Sequence, residues 1–313
     1  MIRKNVYLLA ILIFIVFGLL YLLIYPRIKE NYEQKSYHTY KEVKDILEKN
    51  GNCPDKHISK VIYRTAPFDI DQLPKEIVQN LNLMKKYNPY YIQVYFSDND
   101  IRTFIQEEFP SYLDYYDLLI PGAFKSDFWR LLVLYRYGGV YIDMGYEPKV
   151  SLDSFIDNLT DEFVIPLDEP TQELNHISAL HNAFIGSYPQ HPFIFLCIKE
   201  IVKNIKNRYF GKTALDITGP HLLGKVFSRD ILQDSDKIEL SQNIYIIDGN
   251  KYNFLTYLFV DVRYDDGRYV GGIYIKTDKI FNTKFKNYHQ VMYKNRNVEH
   301  YGILWHTNRV YSG

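Results

Sequence analysis

The stretch from Lys125 to Pro148, KSDFWRLLVLYRYGGVYIDMGYEP, puts a helix, a glycine pair and an acid-tipped strand in immediate succession. Phe128, Leu131, Leu132 and Tyr135 recur at helical spacing, with Ser126 suited to cap the start and Gly138 to stop the end, which predicts a helix over 126–137. Asp127 and Arg130 lie three apart and share a face of that helix. After Gly138 and Gly139 the run from Val140 to Asp143 alternates with period two, so Tyr141 and Asp143 point to one side and the strand finishes on a carboxylate. This order commits the chain to an α/β sheet, and ligands of such sheets bind at the carboxyl ends of the strands.

A carboxylate at a strand end can share a hard divalent cation with a diphosphate, because such ions take oxygen ligands and keep several waters. A guanidinium beside it suits a bidentate contact to a hydroxyl pair, a carboxylate or a phosphate. Each residue also has a plainer explanation. An acid in the first turn offsets the helix dipole, and an arginine three residues on serves as its surface partner.

The segment resembles the sugar-nucleotide site of the DXD-containing glycosyltransferases of family 32, which include initiating α-1,6-mannosyltransferases and are similar to the catalytic domain of the glucosylating bacterial toxins. The family places GG-x-Y-x-D-x-D after an SD-x-x-R helix. Ser126, Asp127 and Arg130 match the helix, Gly138, Gly139, Tyr141 and Asp143 match the turn and strand, and Gly145 stands where the second Asp would be. The resemblance implies a GT-A (Rossmann-like) α/β fold, a nucleotide sugar (UDP- or GDP-sugar) as donor, a glycan acceptor, and a manganese (Mn2+) or magnesium ion held with the diphosphate. It assigns the metal to Asp143, the sugar or ribose to Asp127 and Arg130, and the nucleotide to Tyr141 and Gly139, with Asp143 and Asp127 carrying catalysis. In place of the missing acid the further candidate ligands are Glu147, on the same side if the strand continues, and His300.

Other segments resemble the same family. Ile58 to Thr65 is similar to its first strand, which carries the nucleotide base, with Tyr63 standing in the place of a His. Asn88 to Ser97 reads as the second strand, and Asp98 and Asp100 as caps of the helix that follows. His181 to Pro192 makes Asn182 a candidate substrate contact. Thr218, Gly219 and Pro220 resemble a TGP turn near the donor site and equally make an ordinary helix entry. His300, Tyr301, Leu304 and Trp305 resemble an ending that closes over the diphosphate, and His306 is a weaker candidate there.

Outside these segments, Val6 to Tyr25 runs for twenty residues without a charge, enough to cross a bilayer as a helix. Tyr25, Pro26 and Arg27 follow directly instead of a small-residue cleavage site, which favours an uncleaved anchor. Lys and Arg flank it on both sides, so charge does not orient it. The short head and the resemblance together imply a single-pass type II membrane protein with its catalytic domain in the Golgi or another secretory lumen. The expected organisation is therefore a head at 1–5, a transmembrane anchor at 6–25, a polar stem at 26–55 and a catalytic domain at 56–313. The chain balances 37 basic against 37 acidic residues, so no overall field draws in nucleic acid. Two cysteines, Cys53 and Cys197, provide no disulfide framework, and Cys197 sits in an apolar helical stretch that suits a buried thiol. The expected function is a membrane-anchored, retaining hexosyl- or N-acetylhexosaminyltransferase, and the alternative is a nucleotide-sugar- or glycan-binding protein that lost turnover with the second acid.

Overall fold

The computed structural model describes residues 35–168, 177–231, 243–247, 250–257, 261–265, 268–275, 278–296 and 298–313. The head and the apolar run Val6 to Tyr25, read as an anchor, lie outside them. Among the described residues no helix is long and apolar enough to cross a membrane. Residues 37–313 form one compact unit. That unit starts earlier than position 56. The strand β1 (His38–Thr39) and the helix α1 (Tyr40–Gly51), expected as stem, pack into the body through buried Tyr40, Val43 and Leu47. A capping box between Thr39 and Glu42 starts α1 by satisfying its first amides.

Mixed α/β architecture follows, built on an eight-stranded sheet rich in parallel pairs. In chain order its parts are β2 (Val61–Thr65), α2 (Lys75–Tyr87), β3 (Ile92–Phe96), α3 (Asp98–Glu108), α4 (Leu113–Leu118), α5 (Gly122–Tyr137) and β4 (Gly139–Ile142). After β4 the short strand β5 (Glu147–Pro148) leaves for a second sheet, and β6 (Phe163–Pro166) and β7 (Phe184–Ser187) return to the first. Then come α6 (Pro192–Lys206), α7 (Pro220–Asp230), and the strands β8 (Asn243–Ile247), β9 (Asn250–Tyr257), β10 (Asp261–Asp265), β11 (Arg268–Ile275) and β12 (Asp278–Asn282). Two short helices, α8 (Tyr288–Met292) and α9 (Tyr301–His306), close the chain.

The first sheet runs β1-β3-β2-β4-β7-β6-β9-β8 and the second β10-β11-β12-β5. β1, β3, β2 and β4 are parallel neighbours, so the ends of β2, β3 and β4 open on one edge. β4 alternates as its sequence predicts. Val140 and Ile142 enter a core shared with Phe184 and, from the second sheet, Ile280 and Phe281. Tyr141 turns the other way and meets Trp129 of α5 edge-on at 5.9 Å. Phe281 packs on Phe184 at 5.6 Å and on Tyr146 at 5.8 Å, which fastens the second sheet to the first.

The glycine pair is a structural requirement. Gly138 ends α5 at φ 65°, and Gly139 takes φ 100° where a Cβ would stand 2.8 Å from the Val61 carbonyl oxygen. Both the left-handed backbone and the close approach to β2 exclude a side chain. Tyr63, expected to contact the nucleotide base, is instead 0% exposed and lies in this contact, against Gly139 and Phe96. Alternation along β2 turned its ring into the interior between sheet and helix rather than toward an open end. Gly139→Ala should lower stability by about 2 kcal/mol or more; an unchanged urea midpoint would contradict the close approach.

Candidate active site

A cleft of about 530 Å³ opens over the carboxyl ends of β2, β3 and β4, lined there by Thr65, Asp98 and Asp143. The first turns of α5 form one wall, the entry to α7 a second, and the segment from Lys284 to Tyr301 a third. α5 begins four residues before the predicted start, with Pro121 as its cap. Ser126 is therefore inside the helix, and its hydroxyl accepts from Arg130 Nη2 at 3.2 Å instead of capping.

Arg130 is the centre of the site. It is 5% exposed, with Nη2 at 3.1 Å from Asp127 Oδ1 and 3.4 Å from Asp143 Oδ1, while Nη1 donates to the Asn182 carbonyl at 2.6 Å. Its guanidinium also lies over the Tyr141 ring, 4.3 Å from the centroid. Burial works against its charge, but Tyr141, Asp127 and Asp143 outweigh that and hold its pKa above the ordinary arginine value. Asp127 accepts from Asn182 Nδ2 at 2.9 Å and from Thr218 Oγ1 at 2.8 Å. Burial nevertheless pushes its carboxyl up from the usual range, since desolvation exceeds what Arg130 and the two donors return. Asp143 sits one residue beyond β4, about a third exposed, and accepts from the Tyr141 hydroxyl at 2.6 Å. Its amide donates to the Ala183 carbonyl, which fixes it to the residue before β7.

Asp127, Arg130, Tyr141, Asp143 and Asn182 are thus brought together around the cleft, and His300 lines it too. Gly139 is beneath the site as a packing residue, and Tyr63 is in the core. Glu147 goes elsewhere. The chain turns after Asp143, with the Tyr146 amide donating to the Asp143 carbonyl, so the alternation expected to bring Glu147 alongside is broken. Glu147 pairs with Asn282 in the second sheet and accepts from its Nδ2 at 3.2 Å.

The divalent cation implied by the resemblance needs several oxygen donors, and the donor set does not fit it. Gly145 supplies none and leaves no space for one, because a Cβ there would stand 2.7 Å from the Thr283 carbonyl oxygen. His300 Nδ1 accepts from the Gly302 amide as the cap of α9. Asp143 is already beside the cation of Arg130. Among the described residues no three His, Cys, Asp or Glu side chains gather to hold an ion.

Three contributors escape the sequence reading. Arg64, 0% exposed, donates through Nη2 to the carbonyls of Asp143, at 3.1 Å, and Met144, at 2.9 Å, and so grips the turn that carries the acid. Burial pulls its pKa down to about 10. Its only signal was a lone cation in the apolar run of β2. Thr218 was read as part of a turn, not as a donor to Asp127. Beside them the Tyr146 hydroxyl, His181 and Asp168 form a hydrogen-bonded chain. At the C-terminal end Trp305 stacks on Phe210 at 5.1 Å and donates to its carbonyl, which takes it away from the cleft lining.

Residues 74–162, which include Asp127, Arg130 and Asp143, match the family model described as "Glycosyltransferase sugar-binding region containing DXD motif". A mannosyl phosphorylinositol ceramide synthase of Saccharomyces cerevisiae is 26% identical over 183 residues, 56% of this chain and 44% of the relative. Inositol phosphoceramide mannosyltransferase 2 of Schizosaccharomyces pombe is 30% identical over 134 residues, 42% of this chain and 36% of the relative. An uncharacterized glycosyltransferase of Acanthamoeba polyphaga mimivirus is 29% identical over 195 residues, 61% and 71% of the two chains. The chain spans about half the length of the fungal relatives it matches. Among solved structures, PaToxG Glycosyltransferase is 18% identical with a TM-score of 0.41, over 64% of this chain and 78% of that one.

Thr218→Val keeps the side-chain shape but removes a donor to a buried carboxylate, and should cost about 1–3 kcal/mol at neutral pH. The donor favours the ionised form, so its contribution is present above the Asp127 titration and lost as pH falls through it. Urea unfolding of the two proteins from neutral to acid pH should show the deficit narrowing; a deficit independent of pH would detach Thr218 from that carboxylate.

Proposed function

We propose that this chain is a retaining glycosyltransferase of GT-A architecture that moves a hexose or N-acetylhexosamine from a nucleotide diphosphate sugar to a hydroxyl of a glycan acceptor. The observation that supports it most is the convergence of Asp127, Arg130, Asp143 and Asn182 in one cleft at the strand ends, the first three inside the segment that matches a sugar-binding region. The names of the fungal relatives specify mannose and inositol phosphoceramide, so mannose as the sugar and an inositol-bearing lipid as the acceptor head the panel to be tried.

In this reading Asp143, the more exposed of the two acids, accepts hydrogen bonds from sugar or ribose hydroxyls at the mouth. Asp127 lies deeper, and Asn182, Thr218 and Arg130 already fix its oxygens, so it presents a pre-oriented acceptor to the donor sugar. Arg130 does not reach outward. Its single charge, shared between the two carboxylates, lessens the repulsion that an anionic diphosphate meets on approaching them. When the bond from the anomeric carbon to the diphosphate breaks, the electron pair leaves with the phosphate oxygen. Fixed positive charge at that point lowers the barrier without solvent reorganisation. The acceptor oxygen attacks from the face the diphosphate vacates and passes its proton to the departing phosphate oxygen, so the configuration is kept and no protein nucleophile is needed.

The test is transfer or hydrolysis of UDP- and GDP-sugars by the full-length protein in detergent, each with manganese and with a chelator. Turnover of at least one donor is expected, and Asp143→Asn or Asp127→Asn should lower it by about 10²–10³-fold, the usual effect of losing one preorganised polar group. Nucleotide binding without turnover across the panel would make the chain a binding protein instead. We also propose a type II membrane arrangement with the cleft in a secretory lumen, supported by the uncharged run from Val6 to Tyr25. A tag after Gly313 should then resist protease in sealed microsomes; digestion of the tag would reverse the orientation.

A further inference from the structure

Gly145 and the segment after β12 are two halves of one arrangement. Where the resemblance places a second acid, the absence of a side chain lets the Thr283 carbonyl oxygen come within 2.7 Å of the would-be Cβ position and the Tyr288 ring within 3.2 Å. The residue after Thr283 is Lys284. It lines the cleft together with Asp143 and lies within electrostatic reach of that carboxylate. Its ammonium donates to His289 Nε2 at 3.1 Å and lies 6.0 Å from the Tyr288 ring centroid, so the side chain is held at the wall of the cleft rather than dispersed in solvent. His300, on the same wall, uses Nδ1 to cap α9, which leaves Nε2 to carry the proton of the neutral ring. Two further cations of this cleft, Arg296 and Lys125, act on a different acid, Asp98.

The space an acid would need is therefore filled by the chain that delivers a lysine, and that lysine lines the same cleft as Asp143. We propose that Lys284, supported by His289 and His300, binds the diphosphate of the donor in place of a divalent cation. An ammonium is a point charge that serves phosphate well without directional ligands. It brings one positive charge where an ion would bring two, and Arg130 offsets one of the two neighbouring carboxylates, so part of the deficit in charge is met from the protein. This inference rests on the glycosyltransferase reading.

Isothermal titration of the full-length protein in detergent with UDP and with GDP, once in EDTA and once in manganese, separates the outcomes. One diphosphate should bind in EDTA with an affinity that manganese changes by less than about twofold. Lys284→Met should weaken it by about tenfold or more, as expected for the loss of a charge-assisted contact, and Lys284→Arg should recover most of it. The preference for diphosphate over the matching monophosphate should shrink in the Met variant, a change that general loosening of the fold would not produce. Binding that requires manganese, or a well-folded Met variant with unaltered affinity, overturns the inference and leaves the glycosyltransferase reading standing. If neither diphosphate binds in either buffer, that reading fails and the inference with it. The EDTA comparison on the unsubstituted protein decides the matter even if the Met variant does not fold.

Discussion

The site depends on one desolvated guanidinium. Removing Arg130 from water costs several kcal/mol unless its charge and donors are met. They are met by two carboxylates, a serine, the Asn182 carbonyl and a tyrosine face. These partners come from α5, the end of β4 and the approach to β7, and Thr218 before α7 joins through Asp127. Satisfying one cation therefore fixes the relative placement of four chain segments. Asp127 and Asp143 are drawn to the same nitrogen, so one charge both tethers them and weakens their mutual repulsion.

A second arginine does the corresponding work on the backbone. Arg64 uses one nitrogen for the carbonyls of the turn after β4, while its Nε and Nη1 are buried without a hydrogen-bond partner among the described residues. The turn is short, and it must both end the strand and release the chain to a different sheet. A cation beneath it stabilises carbonyls that have left the ladder and have no strand to pair with. Both arginines thus convert burial, usually a cost, into fixed geometry at the strand end.

Much of this was legible in local pattern. The helix before the glycine pair, the strand leading to Asp143, the helix entry at Pro220 and the buried thiol of Cys197 all follow from spacing and turn chemistry within a few residues. Of the two acids expected as caps, Asp98 is already helical and Asp100 completes a capping box whose cap is Ser97. What was not legible depends on partners distant in sequence. Tyr63 is buried because α5 and β4 cover it, and β2 alone does not announce which face they take. Glu147 is drawn into the second sheet by β12, more than a hundred residues later, so the extrapolated alternation stops at the turn. Residues 38–51 look polar along the chain, yet their apolar minority lies on one helical face and finds β3 and α5. Arg64 had no interpretable pattern at all, because a single charge in an apolar strand acquires meaning only from the carbonyls above it.

β4 and β5 are separated by four residues, and those residues pass from one sheet to the other while carrying Asp143. The floor of the cleft belongs to the first sheet, and the wall bearing Lys284 and His289 hangs from β12 in the second. Sequence drift in that wall can retune what the cleft accepts while the acids stay anchored below. Insertions between Asp143 and Glu147 would instead shear floor from wall. The protein has in this way a fixed hearth and an exchangeable hood, and diversity in ligand preference should accumulate in the hood.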